Sequence, residues 1–145
     1  MAEGHGEAVE WLDEFVEIVR SLHAKALDLS GGLAGEHPEK LQAACARPFH
    51  TAFGEFLYHT SWQMSAALLH GIVTGHVFVD GNKRTGSLAS LWLLTALNHS
   101  IEEPSSLQIR MLGEVAVETA SGGVTVEDAA FLLERIFAPR DRARS

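Results

Sequence analysis

Eleven consecutive residues, His76-Val77-Phe78-Val79-Asp80-Gly81-Asn82-Lys83-Arg84-Thr85-Gly86, carry most of the chemistry open to this chain. An imidazole, a carboxylate, an ammonium and a guanidinium crowd around one glycine, which suits a phosphorylated ligand. The stretch lies between two segments of helical periodicity, and Asp80-Gly81-Asn82 stands where the second begins. A helix start presents N–H groups without intrahelical acceptors, and the helix dipole adds about half a positive charge there, so it attracts anions. Lys83 and Arg84 in the first turn oppose that dipole, a placement that costs stability unless an anion restores the balance. Gly81 lets the backbone take a positive φ or approach a ligand closely. Asp80 can hold Mg²⁺ against a bound phosphate, because this ion takes one or two carboxylates together with phosphate oxygens. His76 fits a general base, since imidazole changes charge near neutral pH. Phe78, flanked by Val77 and Val79, is expected to point inward and pin the loop.

The same residues have plainer readings. Asp80-Gly81-Asn82 is good turn chemistry by itself, and Lys83-Arg84 can be a solvated helix start. A metal centre of His76, Asp80 and His70 is a second rival, although the chain has no cysteine cluster and no His-Glu-x-x-His run. A Walker-type phosphate loop fails, because Lys83 lies between Asn82 and Arg84 where glycine and Ser/Thr are required.

The elements around this stretch read as helices. Ala8, Leu12, Phe15, Val19, Leu22, Ala26 and Leu29 recur at a 4-3 spacing that only a helix gathers on one face. Ser30-Gly31-Gly32 stops it, and Pro38 suits the first turn of a short helix to about Ala46. Pro48 to His59 lacks helical periodicity and reads as a loop or hairpin whose aromatic and leucine side chains need a partner. Thr60 and Gln63 form a capping box for a helix to Thr74, closed by Gly75. A helix from about Asn82 to Leu97 is apolar on nearly all sides in its second half, and Asn98 can supply its left-handed end. Ser105 or Ser106 opens a helix to about Thr119, and Thr125 caps a last one that Pro139 ends. With no strands alternating among them, the fold class is all-α.

At 145 residues the chain is one domain's worth. It reads as a single domain over 1–145, with 1–7 and 139–145 as mobile ends. Eleven Lys and Arg against nineteen Asp and Glu, a net charge of −8, argue against a nucleic-acid partner. A 46% hydrophobic and 21% charged composition excludes a disordered or collagen-like chain. Cys45 alone cannot form an internal disulfide, which fits a reducing compartment. No Lys or Arg precedes the first apolar stretch, so a secretory signal is not expected. The most apolar run, Leu88 to Leu97, is far short of the roughly 20 residues that span a bilayer. The expected location is the cytoplasm, without a membrane partner. Of the histidines, His5, His37, His50, His59 and His99 read as surface residues, and His70 as a satisfied near-core residue. His23 follows Leu22 on the polar side of the first helix, with no role expected. Trp11, Trp62 and Trp92 read as core.

The motif resembles the signature of the Fic/Doc family, His-x-Phe-x-(Asp/Glu)-(Gly/Ala)-Asn-(Gly/Lys)-Arg, at every fixed position. The layout from about Leu12 to Phe137 is also similar, including Arg47-Pro48, Ala52-Phe53-Gly54 and the Ala66-Ala67-Leu68-Leu69-His70 helix before the motif. The resemblance implies a Fic-like bundle of five to six helices around a central apolar helix, with a short flap hairpin. AMP-transferring members carry glycine at the position of Lys83 and a second arginine at that of Ser87, so this chain is more similar to the death-on-curing (Doc) branch. That branch implies a toxin of a toxin–antitoxin module, using ATP and Mg²⁺ to phosphorylate a Thr/Ser hydroxyl of a protein target. The family precedent is transfer of the γ-phosphate to elongation factor Tu, which arrests translation.

Carried over residue by residue, the resemblance makes His76 the base and Asp80 the residue that orients the nucleophile or Mg²⁺. Gly81, Asn82, Lys83 and Arg84 would hold phosphates, and Phe78 would be structural. Phe49, Thr51, Phe53 and Gly54 would belong to a flap that aligns the target peptide by strand addition. The sequence holds no Ser/Thr-x-x-x-Glu-(Gly/Asn) segment of the self-inhibiting kind, so restraint is expected from an antitoxin in trans. Two alternatives stand beside this: AMP transfer to a protein hydroxyl, and a Fic-fold module that binds nucleotide or partner without turnover.

Overall fold

The computed structural model describes residues 2–97, 101 and 103–139, with side chains from Glu10 onward. Among these residues six α-helices and one two-stranded hairpin follow in chain order. Helix α1, Ala2–Ser30, begins six residues before the sequence-based expectation. Its 4-3 stripe carries Phe15, Val19 and Ala26 into the core, with Leu12 and Leu22 packed at the edge. The stripe fails at Leu29, which is exposed because the chain leaves the helix at Ser30.

Helix α2, Pro38–Ala46, starts on its proline and runs into a tight 3₁₀ turn at Arg47–Phe49. Pro supplies a helical φ and lacks only an N–H that the first turn cannot use. Strands β1, Thr51–Ala52, and β2, Glu55–Phe56, pair antiparallel with Thr51 opposite Phe56 and Ala52 opposite Glu55. Their turn places Phe53 and Gly54 at φ 54° and 82°, the double positive φ of a tight hairpin.

Helices α3, Ser61–Thr74, α5, Ser106–Ala120, and α6, Val126–Phe137, each open on a reciprocal capping box: Thr60 with Gln63, Ser105 with Gln108, and Thr125 with Asp128. Helix α4 spans Asn82–Ala96. The Asn98 expected beyond it, His99 and the tail from Arg140 lie outside the described residues. Helices α3 and α4 share the centre. Met64 to Leu69 of α3 are buried without a break, and Ala89, Ser90, Leu93 and Leu94 of α4 are buried too. A Cβ on Gly86 would stand 2.8 Å from Cγ1 of Val73, so glycine permits the close approach of these two helices.

One hydrophobic cluster joins α1, α2, α3 and α4, and a second joins α3 and α4 to α5 and α6. Phe15 stacks on Trp92 at 5.5 Å between ring centroids, while Trp11 meets Phe49 edge-on at 4.4 Å. These rings seat the base of the hairpin on α1. Among the described residues no helix is long and apolar enough to cross a membrane.

Candidate active site

The loop joining α3 to α4 begins where α3 closes on Gly75, with His76 following in the left-handed region at φ 50°. For a residue with a Cβ this conformation costs about 1 kcal/mol. It throws the imidazole outward: His76 is exposed, while the next two side chains, Val77 and Phe78, are buried. Phe78 is only 2% exposed and joins the core, as its place between two valines predicts.

Residues 77–79 are held against the α1–α2 connection by an isolated antiparallel bridge. The His37 N–H donates to Val77 O at 2.8 Å and the Val79 N–H to Gly35 O at 3.0 Å, with Glu36 bridged to Phe78 between them. Gly35 must be glycine here, since its φ is +137° and a Cβ would sit 2.8 Å from Cγ2 of Val79. Arg20 of α1 anchors this connection, donating from Nε and Nη2 to both carboxylate oxygens of Glu36 at 2.7 and 2.8 Å. Arg20 also pairs with Glu17. The Arg20 hydrogen bonds hold the Glu36 carboxyl below its ordinary range, against the opposing effect of burial.

The turn itself is self-supporting. Asn82 Oδ1 accepts from the Phe78 N–H at 3.0 Å and Asn82 Nδ2 donates to Phe78 O at 2.8 Å, so both amide atoms serve the loop's shape. Gly81 takes φ 82° as the N-cap residue of α4, and its carbonyl accepts the first helical bond from Thr85. Asp80 Oδ2 accepts from the Leu33 N–H at 2.7 Å, which fixes the carboxylate at the rim of the turn and leaves Oδ1 for a further partner. Lys83 and Arg84 are exposed in the first turn, and among the described residues neither forms an ion pair. Two exposed cations and a helix start therefore face solvent together in a chain whose net charge is −8.

The carboxylate and the cations suit Mg²⁺ carried between Asp80 and phosphate oxygens, because that ion needs few protein ligands. No cluster of three or more His, Cys, Asp or Glu exists among the described residues, which removes the rival centre of His76, Asp80 and His70. His70 is engaged elsewhere. Its Nδ1 accepts from Arg47 Nη1 at 2.8 Å, and Arg47 Nε donates to the Tyr58 hydroxyl at 3.0 Å. Burial, then the Arg47 charge, lowers the His70 pKa below its ordinary value. This triad ties the flap to α3.

Within the flap, Thr51, Phe53 and Gly54 are exposed, and the Phe53 side chain is wholly in solvent. Phe49 differs, since its ring is half-buried against Trp11 and Phe15 and supports the flap from beneath. A cavity of about 460 Å³ opens between α4 and α5, walled by Leu88, Leu91, Ile109 and Leu112 and reaching Lys83 and Arg84.

One residue beside the loop is placed differently from its sequence reading. His23, expected on the polar side of α1, is 6% exposed. Its ring stacks on Phe78 at 3.8 Å and 10°, and its Nε2 lies 2.8 Å from Asp80 O. The signal was present in the spacing: His23 stands four residues after Val19 and three before Ala26, the interval of the buried stripe itself.

Comparison with known proteins places the chain's sequence among relatives. A family model described as "Fic/DOC family" matches residues 11–94. The chain is 34% identical over 87 residues to a protein named "Toxin Doc" from Mycolicibacterium smegmatis, a match spanning 60% of this chain and 66% of that protein, just under two thirds of its length.

Proposed function

The chain belongs to the Fic/DOC family, and from that premise we propose that it is a Doc-like toxin that moves the γ-phosphate of ATP to a Thr/Ser hydroxyl of a cytoplasmic protein. Family precedent names elongation factor Tu as the target. The observation that carries the reading is the pair of exposed cations, Lys83 and Arg84, on the left-handed Gly81 start of α4, adjoining the loop that carries the exposed His76.

The chemistry follows from the charges. The target hydroxyl oxygen attacks the γ-phosphorus, its proton passes to His76, and the bond from the γ-phosphorus to the bridging oxygen breaks to release ADP. Gly81 N–H, Lys83 and Arg84 bind the phosphate oxygens and offset the charge that builds on them. Asn82 acts on these groups by holding the turn. Mg²⁺, when bound, shields phosphate charge, and Asp80 is the residue that would hold it. Exposed strand β1 offers its edge for a target segment, with Phe53 at the tip.

Ser87 is an additional argument for this branch, because the second arginine of the AMP-transferring signature has no counterpart there. An antitoxin in trans is the proposed restraint, and an amphipathic segment of it can fill the apolar cavity beside Lys83 and Arg84. ATP labelled separately at its α- and γ-phosphates, incubated with bacterial extract, tests the reading. Label from the γ-position on a protein supports it, label from the α-position replaces it with AMP transfer, and no label reduces the chain to a binding module.

A further inference from the structure

We infer that His23 is a positioning residue for the transfer reaction, acting through the Asp80–Gly81 peptide; this rests on the proposed function and adds to it a group 57 residues away in sequence from the residue it holds. His23 is buried on α1, out of reach of any substrate, and touches the loop in two ways. Its face lies flat on Phe78, and its edge meets the Asp80 carbonyl. A carbonyl can only accept, so His23 Nε2 carries the proton of that bond.

The consequence lies one bond further on. In a trans peptide the C=O of one residue and the N–H of the next point in opposite directions. No cis peptide occurs among the described residues. Drawing the Asp80 carbonyl toward α1 therefore turns the Gly81 N–H away from α1, to the face of the turn on which the proposed reaction needs a donor. Among the described residues that N–H has no acceptor. It is thus a donor aimed and held ready, and such preorganised donors act mainly on the transition state. The Asp80 carboxylate belongs to the same residue and is held by the Leu33 N–H. The space fits as well, since a Cβ on Gly81 would stand 3.5 Å from Cδ2 of His23.

Two substitutions separate the donor from the packing. His23→Phe keeps a flat ring against Phe78 and removes the N–H. His23→Gln loses the ring but can place an amide N–H near the same point. With γ-labelled ATP, His23→Phe should lower kcat about 100-fold while changing KM for ATP less than about 3-fold, the low end of the range for loss of one aimed donor. His23→Gln should recover most of kcat even if it melts at a lower temperature. Full activity in His23→Phe would overturn the inference, and so would activity that follows melting temperature across the two variants.

A measurement independent of turnover distinguishes failure of this inference from failure of the proposed reaction. In ¹⁵N-labelled protein, inorganic tripolyphosphate with Mg²⁺ should shift the Gly81 amide in the parent and in His23→Gln, and much less in His23→Phe. Equal shifts in all three, or none in the parent, would contradict it whether or not phosphate transfer is seen.

Discussion

Arg47 donates from Nη1 to Nδ1 of His70 at 2.8 Å, so the base of the flap is held to α3 by a histidine that must be neutral to accept. The same guanidinium reaches the Tyr58 hydroxyl at the far end of the hairpin. One arginine thus fixes both strands of a flap whose hairpin has only two residues on each side.

This contact gives stability a pH dependence. Burial and the Arg47 charge hold the folded-state His70 pKa below 6.5, its ordinary value. The unfolded chain therefore binds the proton more readily, and the folded state loses stability as pH falls through about 6.5 toward the lower folded value. Above that window the contribution is fully present. Unfolding of the parent in urea between pH 7.5 and about 5 should show the decline, and His70→Gln should flatten it. An unchanged slope in His70→Gln would show that other groups carry it.

His76 should separate function from fold. His76→Ala should abolish phosphate transfer with little change in melting temperature, because the ring is exposed. Since φ is 50° at this residue, His76→Gly should be more stable than His76→Ala by about 1 kcal/mol. Urea denaturation of the two variants side by side measures the difference.

Lys83→Ala should shift activity and stability in opposite directions. Removing a cation from the first turn of α4 relieves its repulsion with the helix dipole and should add about 0.3–1 kcal/mol. The same change should raise KM for ATP about tenfold or more. Steady-state kinetics and thermal melts on one preparation show both signs.

Gly35→Ala should disturb the site from outside it. Its φ of +137° and the Val79 methyl 2.8 Å from the added Cβ should cost about 1–3 kcal/mol. The isolated bridge that holds 77–79 against 35–37 would open, so transfer should fall with stability. Hydrogen exchange at the Val79 amide, bonded to Gly35 O in the parent, reports the opening directly.

The legible part of this protein was the part written in periodicity and caps. The 4-3 stripe of α1, the Thr60–Gln63 box and the Thr125 cap depend on neighbours a few residues apart, and they appear at the expected places. The motif was legible as a list of chemical groups on a helix start. Its supports were not. The strand-like contact of 35–37 with 77–79 is made by backbone N–H and C=O groups, which every residue type shares, from a connection punctuated by Gly31, Gly32 and Gly35. His23 was misplaced because a polar residue at the edge of an apolar stripe reads as solvated. Only the tertiary partner, Phe78, shows that it is buried. Phe49 was grouped with the exposed flap for the converse reason, its partner Trp11 lying far back on α1.

The central claim concerns which bond of ATP breaks. The most direct test is the nucleotide product released as a purified target hydroxyl is modified, followed by ³¹P NMR with the parent and with His76→Ala. The account predicts one ADP per modified hydroxyl from the parent and none from His76→Ala. Pyrophosphate in place of ADP, or ADP release undiminished in His76→Ala, would contradict it.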